Sequence, residues 1–181
     1  MPIPTGSYYQ KKALGNGTVS TIEGNTVNVV TAGEEIGFGC AVDIKNGKAV
    51  VATKAPIFGI AIKRDWTDAE HYFTDDVQKD MWHMGEKFGA LRKGGISVPI
   101  SADVNRYDQA TVDSDGTFKP AGASDQVVGR FLTAGDAGST AIIQVNITDM
   151  GMGTAAQPST PNSVKPAVTP TDMDKKKEGT I

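Results

Sequence analysis

The chain of 181 residues is long enough for one domain with a substantial core, since a domain of this size buries roughly 70% of its unfolded surface. Its hydrophobic fraction of 39% and its nine prolines indicate that part of the chain stays outside that core. A formal net charge of −3 argues against general nucleic-acid binding, which needs a basic surface. No apolar run reaches the ~18–20 residues of a membrane helix.

Three zones follow one another along the chain. Residues 1–14 form an extended N-terminal arm with two prolines and two adjacent tyrosines, and residues 15–149 carry the regular patterning of a β-domain. Residues 151–181 form a C-terminal tail rich in Pro, Ser and Thr, with four of the nine prolines. Because the tail has too few large apolar residues to offset its chain entropy, we expect it to be flexible.

The β-domain is predicted from apolar residues that alternate with small or polar ones. This period of two places one set on each face of a strand. The clearest examples are Phe58, Ile60 and Ile62, then Ile96, Val98 and Ile100, then Ile143, Val145 and Ile147. Further strands rich in Val, Ile, Thr or Phe are predicted at 18–22, 26–31, 48–53, 88–92, 110–113 and 126–132.

Turn residues separate these strands. Asn46 with Gly47, and Asp115 with Gly116, suit tight hairpins because both positions tolerate positive φ. Residues 93–95, Lys-Gly-Gly, are predicted to join 88–92 to 96–101 in the same way. Pro99 cannot donate to a ladder, so its strand is expected at an edge or with the N–H site facing outward. Many short strands predict a mainly β fold, a β-barrel or β-sandwich of short antiparallel strands.

One segment departs from the β pattern. Thr67 and Glu70 fit a capping box, and apolar residues from Ala69 to Phe88 follow at helical spacing. We therefore predict a short helix near 67–84, although the sequence Thr-Asp-Asp at 74–76 opposes it.

Motifs for catalysis or cofactor binding are absent from the sequence, so we predict no catalytic, cofactor or metal residues and no enzymatic activity. Cys40, the sole cysteine, lies in an apolar stretch that raises a thiol pKa and makes it inert. His71 and His83 lie near Asp75 and Asp76 but lack the spacing of a metal site. With no signal-peptide features in residues 1–6, we expect synthesis in a reducing cytoplasm.

The acidic, aromatic-rich insertion at 65–87 is the most distinctive surface. It holds seven acids against two lysines, a balance of −5, together with both tryptophans. Its aromatics could cap the end of a barrel, or they could form a docking surface for a basic partner. The residues predicted to contact a partner are aromatic and lie in the arm and the insertion: Tyr8, Tyr9, Trp66, Tyr72, Phe73 and Trp82.

Several runs resemble the tailed-bacteriophage head decoration, or structural cement, proteins. Residues 88–100, FGALRKGGISVPI, are similar to that family's "valine–leucine–arginine–lysine–glycine–x–isoleucine–x–valine–x–valine" hairpin. Residues 55–61 resemble its "x–Phe–Gly–Ile/Val–Ala" strand, and residues 126–131 and 140–147 resemble its closing strands. The resemblance covers roughly residues 15–149, and the order of the motifs makes it specific.

The resemblance implies a non-enzymatic virion protein, made in the bacterial host cytoplasm, that binds the outer surface of a phage capsid. It would stabilise contacts between major capsid protein subunits as a homo-oligomer, a trimer or dimer, without nucleic-acid or membrane contact. Two other functions stay open. One is a virion-surface β-domain that binds host glycans through Trp66, Tyr72 or Trp82. The other is a hydrolase using Asp75, Asp76 or Asp80.

Overall fold

The computed structural model describes residues 14–22, 24–64 and 81–147. This part of the chain contains no helix, and the mainly β prediction is confirmed. Its strands are β1 (Thr26–Thr31), β2 (Ile36–Gly37), β3 (Ala41–Lys45), β4 (Lys48–Val51), β5 (Gly59–Ala61), β6 (Met81–Trp82), β7 (Lys87–Pro99), β8 (Gln109–Val112), β9 (Phe118–Pro120), β10 (Gly129–Phe131) and β11 (Thr140–Asn146).

Nine of the strands form one antiparallel sheet that curls into a half-barrel. Its order is β4-β3-β5-β7-β11-β10-β8-β9, and β1 pairs with β7 outside this path. The other two strands, β2 and β6, form a separate ribbon. A parallel bridge between Ala32 and Ala49 brings the end of β1 alongside β4.

Strand β7 is the central element because three strands, β1, β5 and β11, pair with it at different positions along its length. Leu91 pairs with Val27 of β1 and with Ile60 of β5. Lys93 pairs with Thr26 of β1 and with Asn146 of β11. A strand residue has one neighbour on each side, so β1 lies on one side of β7 and β5 and β11 share the other.

The hairpin predicted at residues 93–95 is wrong, because β7 runs without a turn through these residues. Gly94 has a φ of 132°, and a side chain on it would overlap Asn25. The ladder with β1 shifts register between Thr26 and Val27, which marks a β-bulge at this point. The extra residue of the bulge is Arg92, between Leu91 and Lys93. Gly94 and Gly95 allow Ser20, Thr21 and Asn25 to approach β7 closely and do not reverse the chain.

Pro99 lies at the end of an interior strand, so the first alternative, an edge strand, is wrong, whereas the second, an N–H site that faces outward, is correct. It is the last residue of β7 and pairs with Thr140. The following residue, Ile100, donates its N–H to the Ser139 carbonyl at 3.1 Å. Ser97, two residues earlier, donates its N–H to the Thr18 carbonyl at 2.9 Å, away from β11. The nitrogen of Pro99 also faces away from β11, so the ladder loses no bond.

Both predicted tight turns are confirmed. Asn46 and Gly47 have φ of 52° and 75° and join β3 to β4. Gly116 has a φ of 80° in the β8–β9 hairpin, where the Asp113 N–H donates to the Thr117 carbonyl at 2.8 Å. The polar turn residues thus set the register of the two hairpins.

The sheet separates two apolar clusters because alternate residues point to opposite faces. Ile60 and Leu91 belong to the larger cluster, which continues along β7, β8, β10 and β11 to Phe118 and Phe131. Ala61 and Ala90, their immediate neighbours, belong to a smaller cluster with Ile36, Val42 and Phe88. The smaller cluster lies beneath the β2–β6 ribbon.

The helix predicted near 67–84 is wrong at its C-terminal end. Met81–Trp82 is strand β6, which pairs with β2, and residues 83–85 lead through a turn into β7. Trp82 of the ribbon packs on Phe88 of the large sheet. This tertiary contact favours a strand at residues 81–82, although the spacing of the apolar residues also fits a helix. Residues 67–80 lie outside the described residues.

Candidate functional site

Of the six residues predicted to contact a partner, only Trp82 lies in the described ranges. Tyr8, Tyr9, Trp66, Tyr72 and Phe73 lie outside them. The described part of the insertion is therefore its end, residues 81–87. We call these residues, together with the preceding Arg64, the base of the insertion.

Trp82 is half-buried in an aromatic cluster at this base. Its ring stacks on Phe88 and meets Phe38 edge-on, with ring centres 5.6 Å apart in both pairs. Its indole Nε1–H donates to the Ile62 carbonyl at 2.8 Å. These contacts hold β6 against the smaller apolar cluster, so the ring anchors the insertion to the domain.

A charged clasp covers the same aromatic cluster. The Arg64 Nη2 donates to both carboxylate oxygens of Glu86, at 2.8 and 2.7 Å. Glu86 also accepts the His83 backbone N–H at 2.7 Å. The Arg64 guanidinium carbon lies 4.6 Å from the centre of the Trp82 ring, a cation–π contact. We call this ion pair the Arg64–Glu86 clasp. It joins the residue that precedes the insertion to a residue near the insertion's end.

The clasp predicts that Glu86→Ala lowers the free energy of unfolding by about 1–3 kcal/mol, because hydrogen bonds to a charged group contribute roughly that much. Side-chain exposures of 18% for Arg64 and 29% for Glu86 limit screening by water. Chemical denaturation measures the loss. A matched control is Lys119→Ala, which removes the solvent-exposed Lys119–Asp113 pair of the β8–β9 hairpin and should cost clearly less, because water screens exposed ion pairs. Equal losses in the two variants would contradict this interpretation.

The arm and the tail leave the domain at different points along β7. The Leu14 carbonyl accepts hydrogen bonds from the hydroxyls of Ser97 at 3.0 Å and Thr140 at 3.1 Å. At the other terminus, the Ile147 N–H donates to the Arg92 carbonyl at 2.7 Å. Each terminal segment therefore starts from a fixed position on the sheet.

Cys40 is packed against the smaller cluster and is unsuited to nucleophilic chemistry. Burial, with a smaller contribution from Asp115, raises the pKa of its thiol from 9.0 to about 11. The direction predicted from its apolar neighbours is confirmed.

This pKa predicts that a thiol reagent modifies folded protein about 100-fold more slowly than unfolded protein at pH 7.5, because only the thiolate reacts. The rate should rise tenfold per pH unit until about pH 11. Since the folded pKa exceeds the unfolded one, stability contributed by the neutral thiol is lost between pH 9 and 11. Absorbance-monitored labelling with and without denaturant measures both rates. Fast, stoichiometric labelling of folded protein at neutral pH would contradict the prediction.

A polar cleft of about 450 Å³ lies beside the β8–β9 hairpin. Its wall includes Asp113, and hydrogen bonds from Ser101 and Lys119 lower the pKa of that carboxyl to about 2. A carboxylate held ionised in this way does not fit the general acid of a hydrolase. Asp75, Asp76 and Asp80, the carboxylates of the hydrolase hypothesis, lie outside the described residues.

The described ranges contain neither a cluster of metal ligands nor a membrane-spanning helix. Among the described residues, no three His, Cys, Asp or Glu side chains are grouped to hold a metal ion. Nor do these ranges contain a helix long and apolar enough to cross a membrane. His83 Nδ1 lies 3.7 Å from a Glu35 carboxylate oxygen, and His71 lies outside the described residues.

Comparison with known proteins decides the family. The family described as structural cement protein (E217 gp24/Pam3 gp6) matches residues 4–146, most of the chain. The chain belongs to this bacteriophage family. Membership implies a structural role in the virion, and it confirms the resemblance carried by residues 15–149.

The chain was also compared with curated proteins and with solved structures. No curated protein matches the cement-family chain. Among solved structures, the head fiber gp8.5 N base of bacteriophage phi29 is similar, with 13% sequence identity and a TM-score of 0.49. That match covers 67% of this chain and 94% of the phi29 chain.

Among the described residues of the cement-family chain, Tyr107 is an exposed aromatic residue that was not predicted as a contact from the sequence. Tyr107 has a φ of 75° and a 60% exposed side chain, and the Arg106 guanidinium lies 4.9 Å from its ring centre. Its N–H donates to the Phe131 carbonyl at 2.8 Å, which holds an unusual conformation for a bulky residue. The sequence feature that indicates this turn is the flanking pair Asn105 and Asp108, because the Asp108 carboxylate accepts the Asn105 N–H.

Proposed function

We propose that this chain is a non-enzymatic structural protein that binds the outer surface of a phage capsid. There it stabilises contacts between subunits of the major capsid protein, and it acts as a homo-oligomer on the virion surface. The single observation that carries the proposal is the cement-family match over residues 4–146. The described chemistry supports it: the sole thiol is protonated at neutral pH, and Asp113 is held as an ion pair.

The insertion is the first proposed capsid contact. Trp66, Tyr72 and Phe73 lie in a segment whose two ends are tied together by Arg64 and Glu86. Fixing both ends lowers the entropy lost when the segment binds. The balance of −5 over residues 65–87 favours a basic patch on the capsid protein, because opposite charges steer association.

The two terminal segments are the second proposed contact. Tyr8 and Tyr9 lie in the arm, six and five residues before the carbonyl of Leu14 that Ser97 and Thr140 hold. Aromatic side chains supply large contact areas at low entropic cost. Arm, insertion and tail would each bind weakly, and their linkage through one domain raises the effective concentration of every contact.

Binding to undecorated capsids tests the proposal. Purified protein is mixed with capsids that lack it, the particles are sedimented, and the bound amount is measured against the input. We expect saturation at a fixed ratio to the major capsid protein. A Tyr8→Ala/Tyr9→Ala variant and a Trp66→Ala/Tyr72→Ala variant should bind more weakly. Tyr107→Ala, which removes an exposed aromatic side chain outside the arm, the insertion and the tail, should bind as the unaltered protein does. Absence of saturable binding by the unaltered protein would contradict the proposal.

A further inference from the structure

Strand β1 has one paired side and one open side. Its residues pair with β7 from Thr26–Lys93 to Thr31–Lys87. Among the described residues no strand pairs with its other side, and only its end approaches β4, through Ala32 and Ala49. Residues 26–29 are all exposed.

The backbone groups of Val27 and Val29 point to that open side. Gly89 lies opposite Val29, but its carbonyl accepts the Ile62 N–H at 2.9 Å and so faces β5. Val29 and Gly89 are therefore a pair without mutual hydrogen bonds, and the N–H and C=O of Val29 face away from β7. Val27 lies two residues earlier and has the same orientation.

This edge lacks the features that normally prevent strands from pairing with other chains. The sequence of β1, TVNVVT, has no charge and no proline, and Val27 and Val29 are 45% and 74% exposed. Exposed edges of this composition pair readily with a further strand.

The other described edges of the large sheet are protected. Strand β9 carries Lys119 and Pro120. Strand β4 is covered by residues 33–34, where the Gly33 N–H donates to the Ala49 carbonyl at 2.7 Å and a Glu34 carboxylate accepts the Val51 N–H at 2.6 Å. The open edge of β1 is therefore the exception in the described part of the sheet.

The chain's own terminal segments fit this edge poorly. The distance along β7 from Ser97, where Leu14 is held, to Gly89 is about 26 Å at 3.3 Å per residue. An arm that spanned this distance would use residues 7–13, and only residues 1–6, which include Pro2 and Pro4, would remain to pair with the edge. The tail begins beside Asn146, on the side of β7 opposite β1, and residues 151–181 contain four prolines. Proline cannot donate to a ladder.

We propose that the open edge of β1 pairs antiparallel with β1 of a second copy of this chain, about a two-fold axis at Asn28. Val27 then lies opposite Val29 of the second copy, and these outward-facing backbones exchange four N–H···O=C bonds. The four valines share one face of the joined sheet, and no charged residue of β1 meets another because the strand has none. The interface is self-complementary, as a two-fold contact requires. The proposal is independent of capsid binding.

The first test removes one edge donor while sparing the internal ladder. Val29→Pro deletes an N–H that faces the open side, whereas the bonds to β7 come from Asn28 and Val30. Val29→Thr is the matched control, since it keeps the donor and the β-branched shape. We expect light scattering during size-exclusion chromatography to show a dimer for the unaltered protein and for Val29→Thr. For Val29→Pro we expect the dissociation constant of the dimer to rise at least tenfold. A far-UV circular dichroism spectrum that matches the unaltered protein, together with a cooperative thermal transition, confirms that Val29→Pro is folded.

The second test locates the axis. Asn28→Cys should form an intermolecular disulfide on mild oxidation, because facing residues at this kind of pair have Cα atoms ~4.5 Å apart. Thr26→Cys should not, since its two copies would be ~13 Å apart, beyond disulfide reach. Cys40 does not interfere because its pKa is about 11. A monomer at all concentrations, or a dimer unaffected by Val29→Pro, would overturn the proposal. So would a monomer whose capsid binding depends on Val29, which would show that a capsid strand occupies the edge.

Discussion

Replacing Phe88 with alanine is expected to lower the free energy of unfolding by about 3–5 kcal/mol, the usual cost of removing a buried aromatic ring. Phe88 is 3% exposed, and it belongs to the smaller apolar cluster and stacks on Trp82. Its loss leaves a cavity and removes the support beneath the Arg64–Glu86 clasp. Denaturant unfolding followed by tryptophan fluorescence measures the change.

Two further variants make the Phe88 prediction specific. Phe88→Leu keeps most of the buried volume and should lose less than half as much stability. Tyr107→Ala removes an aromatic ring that is 60% exposed and should change stability by less than about 1 kcal/mol, as surface substitutions do. If Phe88→Ala were no more damaging than Tyr107→Ala, the smaller cluster would not be a core.

Gly94→Ala is expected to destabilise the fold by about 1–3 kcal/mol from backbone strain alone, since a φ of 132° is essentially restricted to glycine. A side chain there also overlaps Asn25, so Asn25 must shift, and the start of β1 with it. Thermal unfolding and the exposure of β1 amides to hydrogen exchange report the two effects.

Two other glycines separate strain from overlap. Gly138 has a φ of 79° but open space around it, so Gly138→Ala should show a strain cost of about 1 kcal/mol only. Gly24 also has open space and has no positive φ, so Gly24→Ala should leave stability almost unchanged. A Gly94→Ala variant as stable as Gly24→Ala would contradict both the φ of Gly94 and its close approach to Asn25.

Local patterns in the sequence were sufficient to predict much of the sheet. Ile96 and Val98 in β7, and Ile143 and Val145 in β11, alternate with smaller or polar residues, and all four are buried in the larger cluster. Asn46 and Gly47 form the predicted turn because few other residues adopt positive φ at low cost. Such features depend on neighbouring residues only, which is why a single sequence shows them.

The errors arose where one local pattern suits two structures. Two adjacent glycines are typical of a turn, but Gly94 and Gly95 allow Ser20, Thr21 and Asn25 to approach β7 closely. The spacing of Met81, Met84 and Phe88 fits a helix, although the register of β6 with β2 makes Met81 and Trp82 a strand. In both places contacts from distant parts of the chain decided the outcome.

The candidate site was less predictable than the sheet. Trp82 was selected for its type, but its contact with Arg64 and the Arg64–Glu86 pair joins residues separated by 18 and 22 positions. No local rule pairs side chains over such distances. The open edge of β1 was likewise invisible in the sequence, because it depends on which strand β7 accepts on each side.

The most direct test of the capsid-stabilising role is the temperature at which DNA-filled heads release their DNA. Heads that lack this protein are compared with the same heads after it is added back, with dye fluorescence reporting released DNA. Added protein is expected to raise the release temperature, and the effect should saturate when the binding sites are full. Identical release curves for decorated and undecorated heads, despite stoichiometric binding, would contradict it.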